Sequence, residues 1–189
     1  MNTIVKRFAL AFLCVSLFAV AAQAETGASK TIGHGAYALT ISSDFNAVGS
    51  TSVTVPLNTE VSGRVPRGTV SSKVFTSGET VLFVQRIATP AANNYLRPLG
   101  GSKVAKWGKD WRENAFTVSA ADTTREFSQY LGFLNEQGVS VASNYTVKMY
   151  DQIVSPSSIA RVLVFTPANG GTLPAAPSAA ALYTLAENK

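Results

Sequence analysis

Between Asp122 and Gly138 the chain carries a full set of helix signals, while most of the remaining pattern repeats every two residues. Thr123 followed by Glu126 reads as a capping box, and Asp122 just upstream suits the positive end of the helix dipole. Phe127, Tyr130, Leu131 and Leu134 recur at the spacing that lines one helical face. Gly138 stands where a left-handed residue ends a helix. Such a stripe needs an apolar surface, and the only surface the rest of the chain offers is a sheet.

The strand signals are short and separated by Gly, Ser, Asn and Pro. Tyr37, Leu39 and Ile41 alternate with small or polar residues, as do Val53 and Val55 before Pro56. Val70, Val74 and Phe75 mark another run, closed by Ser77-Gly78. Residues 80–87 (TVLFVQRI) are so dense in β-branched and aromatic side chains that a central strand is expected. Phe116, Val118 and Ala120 form a brief strand signal, Val139–Asp151 a longer one, and Ile159–Phe165 another. The expected fold class is α+β: a single domain over residues 36–167, mainly antiparallel sheet, with one principal helix at about 123–137 packed on one face. Residues 25–35 read as a flexible lead-in, and 168–189 as an Ala/Pro-rich tail with room for a short helix from Pro177. Pro90, Pro98 and Gly100-Gly101 make 89–102 a loop, and Ser102 is placed to cap a second short helix over Lys103–Glu113. No internal repeat is present.

The first 24 residues have the grammar of an export signal. Lys6 and Arg7 precede an apolar run, Phe8 to Val20, broken only by Ser16, and Ala22-Gln23-Ala24 is a small-x-small cleavage box. The run falls short of the roughly 20 residues that a transmembrane helix needs. Cys14 follows Leu13 inside the apolar run, which is not the setting of a lipid-modified cysteine. The expectation is a soluble periplasmic or secreted protein of 165 residues beginning at Glu25, with no transmembrane segment after cleavage. Removing Lys6 and Arg7 leaves 14 basic against 11 acidic side chains, a charge of +3. That is too little, and too dispersed, for a nucleic-acid binder.

Familiar chemistries find little support. Zinc needs Cys and His, and beyond the signal the chain has His34 and no cysteine. The acidic residues are scattered, without calcium-loop spacing. Gly138-Val139-Ser140-Val141-Ala142 approaches a nucleophile elbow but follows a helix, and a Ser-His-Asp triad would depend on His34 between two glycines in the lead-in. Gly33-x-Gly35-x-x-Ala38 has no strand before it and no helix after it, so it is no dinucleotide fingerprint. Asp110 with Glu113, and Asp122 with Glu126, read as solvated helix charges. Asn144-Tyr145-Thr146 is a glycosylation sequon, meaningful only in a eukaryotic secretory pathway. No catalytic residue, metal site or cofactor is assigned.

One segment stands out. Residues 103–112 (KVAKWGKDWR) hold both tryptophans and four of the 14 basic residues. As a helix, Val104, Trp107 and Trp111 would share a face, ringed by Lys103, Lys106, Lys109 and Arg112. Aromatic anchors with basic neighbours suit either packing onto the sheet or binding of phosphate or carboxylate groups. The candidate binding residues are therefore Lys103, Lys106, Trp107, Lys109, Trp111 and Arg112. The expected function is an exported, non-catalytic binding or interaction module of the cell envelope, its partner an anionic envelope component or another protein. A small extracytoplasmic hydrolase and a structural surface protein are the alternatives.

Overall fold

The computed structural model describes residues 28–56, 58–59, 67–89, 94–98, 100–121, 125–168 and 183–187. The export signal, its cleavage box, Asp122, Thr123 and most of the tail lie outside the described residues. In chain order the elements are β1 (Ser29–His34), β2 (Tyr37–Ser42), β3 (Asn46–Pro56), β4 (Asn58–Thr59), β5 (Arg67–Ser77), β6 (Thr80–Ala88), β7 (Asn94–Pro98), β8 (Ser102–Lys106), β9 (Lys109–Ser119), α1 (Arg125–Glu136), β10 (Asn144–Ser155), β11 (Ser158–Pro167) and β12 (Tyr183–Glu187).

Seven strands form one antiparallel sheet in the order β3-β5-β6-β11-β10-β9-β8. The chain lays down β3, β5 and β6 from one edge inward, moves to the opposite edge, and returns through β8, β9 and β10 to β11. The two meanders meet at β6 and β11, which pair from Ser158↔Ala88 to Phe165↔Val81. This explains why TVLFVQRI and IARVLVF read as nearly continuous apolar runs: at the centre of the sheet both faces are covered, so alternation disappears.

α1 covers one face. Phe127, Tyr130, Leu131 and Leu134 are buried with Phe83, Phe116, Val118, Tyr145, Val147 and Phe165. The rings meet at an angle, with Phe83–Tyr130 centroids 5.0 Å apart and Phe116–Phe127 5.5 Å apart. Gly138 takes φ 70°, its N–H bonds the Asn135 carbonyl, and the Val139 N–H bonds the Leu134 carbonyl. These two bonds close the helix in the expected left-handed cap.

The opposite face is covered by the β1–β2 hairpin, which pairs from Ser29↔Ser42 to His34↔Tyr37. Ile32, Tyr37, Leu39 and Ile41 pack there on Phe75, Leu82, Val84, Trp111, Tyr150, Ala160 and Val162. The stretch 29–34, expected as a flexible lead-in, is thus a strand over a second core. Three further expectations are corrected. The short helix expected over Lys103–Glu113 is the β8–β9 hairpin, and Tyr183–Glu187, placed in the short tail helix, is a strand pairing antiparallel with β7 and parallel with β4. β7 itself lies inside the stretch expected as a loop.

Candidate functional site

The β8–β9 hairpin forms one edge of the large sheet. Lys106 pairs with Lys109, leaving Trp107-Gly108 as a two-residue turn. Both turn residues have positive φ, 50° and 72°, the handedness that matches strand twist. Trp107 is the only non-glycine residue with positive φ among the described residues. For a residue with a Cβ this costs roughly 1–2 kcal/mol, so packing must hold it. Its ring stands edge-on to Trp111 at 5.3 Å and to Tyr150 at 5.3 Å. Trp111 Nε1 donates to the Lys106 carbonyl at 2.9 Å, tying the turn to the strand. The Lys106 ammonium lies 4.8 Å from the Trp107 ring centroid and 4.3 Å from that of Tyr150, and donates to the Tyr150 hydroxyl at 3.1 Å. Desolvation holds the Lys106 pKa below its ordinary value. Burial, with Glu113 as hydrogen-bond partner and nearby charge, pushes the Tyr150 hydroxyl up to about 12.

The strands divide the six candidate residues between two faces, because side chains alternate along β8 and β9. Lys106, Trp107, Lys109 and Trp111 belong to the face bearing the β1–β2 hairpin. Lys103 and Arg112, opposite each other in register, belong to the α1 face. Trp111 is a core residue at 2% exposure, Trp107 and Lys106 are half-buried, and Lys103, Lys109 and Arg112 are exposed. Lys103 is bridged to Asp110 at 2.7 Å, with both side chains mostly in water. The helical reading therefore joined two sets of side chains that the hairpin separates.

On the α1 face, Arg112 belongs to a transverse polar row that spans the sheet. Successive register partners are Thr51, Ser72, Gln85, Arg161, Asp151, Arg112 and Lys103. At its centre Arg161 grips Asp151 with two bonds, Nε to Oδ1 at 2.8 Å and a terminal nitrogen to Oδ2 at 2.9 Å, both side chains fully buried. Gln85 donates from Nε2 to the Ser72 hydroxyl at 2.9 Å, while its Oε1 is buried without a hydrogen-bond partner among the described residues. Beside the Asp151 end lies a shallow cavity of about 180 Å³, lined in part by Lys103, Arg112, Asp151 and Ile153. Ile153 is 51% exposed. Sequence reading missed this row. Its one signal was Arg161, the single charge inside IARVLVF.

His34 sits in β1, where Nε2 lies 2.9 Å from the Ser71 carbonyl and 3.2 Å from the Ser71 hydroxyl. A nitrogen that bonds a carbonyl oxygen carries the proton, so it does not act as a base toward that hydroxyl. Burial holds the His34 pKa below 6.5, the bond to Ser71 opposes this, and Lys73 and Arg86 add to the lowering. The unfolded chain therefore takes up a proton near 6.5 that the folded chain refuses. Stability is expected to fall as pH drops from 6.5 toward the folded pKa, and His34 adds no pH dependence above that window. Urea midpoints measured across the window should show this slope, with His34→Gln flattening it. Equal slopes in the two proteins would rule the account out.

Among the described residues no group of three His, Cys, Asp or Glu side chains is placed to hold a metal ion, and no helix is long and apolar enough to cross a membrane. No family model matches the chain, and neither a curated protein nor a solved structure is significantly similar to it.

Proposed function

We propose that residues 1–24 export this chain and that the mature protein is a non-catalytic binding module of the cell envelope, engaging an anionic envelope component through the β8–β9 hairpin. The observation that carries this reading is the pairing of exposed cations with a braced turn. Lys103 and Arg112 face water on one side of the hairpin and Lys109 on the other, at a sheet edge whose turn is held by tryptophans locked against Tyr150 and the sheet. Cations on a pre-ordered surface meet phosphate or carboxylate groups without first being immobilised. Arg112, with its planar fork, suits such groups best.

Expressed with its own leader, the protein is expected in the exported fraction with Glu25 as its first residue. That material should co-sediment with vesicles containing phosphatidylglycerol and not with purely zwitterionic ones, with binding that weakens as salt rises. Replacing Lys103, Lys109 and Arg112 together with alanine should weaken binding by about a hundredfold, at about 1 kcal/mol per basic side chain near an anionic surface. The melting temperature should stay unchanged. Equal binding by the triple variant, or none by the parent protein, would sink the proposal.

A further inference from the structure

The two edges of the large sheet are built very differently. β8 is five residues long and carries Lys103 and Lys106, the usual protection against edge-to-edge pairing. β3, at the other edge, has eleven residues (NAVGSTSVTVP) and no charged side chain. Its one interruption is a register shift between Ala47 and Gly49, after which pairing with β5 runs unbroken from Gly49 to Pro56. Among the described residues no strand pairs with the outer side of β3. Edge strands present a row of backbone donors and acceptors, and natural sheets usually blunt one this long and neutral.

We infer that β3 is an interaction edge and that its partner is β3 of a second copy of this chain. An antiparallel pair centred on Thr51 is self-complementary. It sets Thr51 opposite Thr51, Ser50 opposite Ser52, and Gly49 opposite Val53. Every pair is uncharged, and each joins side chains of the same face. Thr–Thr and Ser–Ser pairs hydrogen-bond across strands. Val53 is half-buried at the margin of the core, and Phe133 of α1 leans over Gly49, where a Cβ would come within 3.3 Å of its ring. Val53 of the second copy therefore extends the apolar cover where the helix meets the edge. A two-fold axis through Thr51 closes the assembly as a dimer and joins the two sheets into one.

Sedimentation of the mature protein is expected to give twice the mass of one chain at high concentration. Ser50 and Ser52 are exposed, so charges there act on the pairing rather than on the fold. Ser50→Glu with Ser52→Glu opposes like charges in both flanking pairs, while within each chain the carboxylate at position 50 has Lys73 as its register partner. This variant should sediment as one chain, with the melting temperature that the parent has at concentrations where it too is a single chain. Ser50→Glu with Ser52→Lys brings opposite charges together across the axis and should restore the dimer. A parent protein that stays a single chain at every concentration overturns the inference. So does a dimer indifferent to the double glutamate, or one that the matched pair fails to restore.

Discussion

Asp151→Ala is expected to destabilise the protein by about 3–5 kcal/mol, the range for removing one partner of a buried ion pair. Arg161 and Asp151 are fully buried on two neighbouring inner strands of the sheet, joined by bonds of 2.8 and 2.9 Å. Removing the carboxylate takes the bidentate anion from beside a fully buried guanidinium whose other register partner is the neutral Gln85. The loss should therefore exceed that of an ordinary small-for-large change at the same depth. Replacing both partners, Asp151→Leu with Arg161→Met, should recover most of it, since two well-packed apolar side chains carry no desolvation penalty. Urea unfolding of the three variants checks this. A single Asp151→Ala within about 1 kcal/mol of the parent would mean the pair is not a buried charge in solution.

Trp111→Ala is expected to remove about 3–5 kcal/mol, as for other buried large aromatics. Trp111 is 2% exposed, packs with Val84, Tyr150 and Val162, and anchors the turn through its bond to the Lys106 carbonyl. Trp107 sits at the turn itself, half-buried, in a backbone conformation that asparagine tolerates far better. Trp107→Asn should therefore change the melting temperature only slightly, because relief of the turn offsets the lost ring contacts. The two variants separate the roles of two residues that look equivalent in sequence. If Trp107→Asn proved as damaging as Trp111→Ala, the ring at the turn would be core, and the brace described above would be wrong in kind.

Much of the fold was legible because its signals are local. The Phe127, Tyr130, Leu131 and Leu134 stripe and Gly138 describe α1 and its cap without reference to anything distant. Residues 80–87 announce a central strand, and 159–165 a strand, because dense β-branched and aromatic runs suit a covered sheet. The segment 103–112 was not legible in this way. A two-residue turn brings 104 opposite 111 and 106 opposite 109. These separations of seven and three residues also share a helical face, so hairpin and helix both bring Val104 to Trp111 and Lys106 to Lys109, and only the hairpin parts Lys103 and Arg112 from them. Gly108 was the discriminating signal: inside a helix it costs about 1 kcal/mol, whereas at the second place of such a turn it is preferred. The β1 strand was missed for a related reason. Gly33 and its polar residues suit a loop until Ile32, with Tyr37, Leu39 and Ile41 of β2, finds a sheet face to cover.

The sequence by itself determined where the helix runs, that 80–87 is a central strand, and that regular structure here is mostly sheet. Each of these depends on periodicity within one segment. Only the tertiary structure decided that Arg161 meets Asp151, that the basic and aromatic residues of the hairpin part onto two faces, and that one sheet edge carries lysines while the other is bare. Those facts belong to the register between strands far apart in the chain. Register is set by the packing of whole faces, which no local pattern contains.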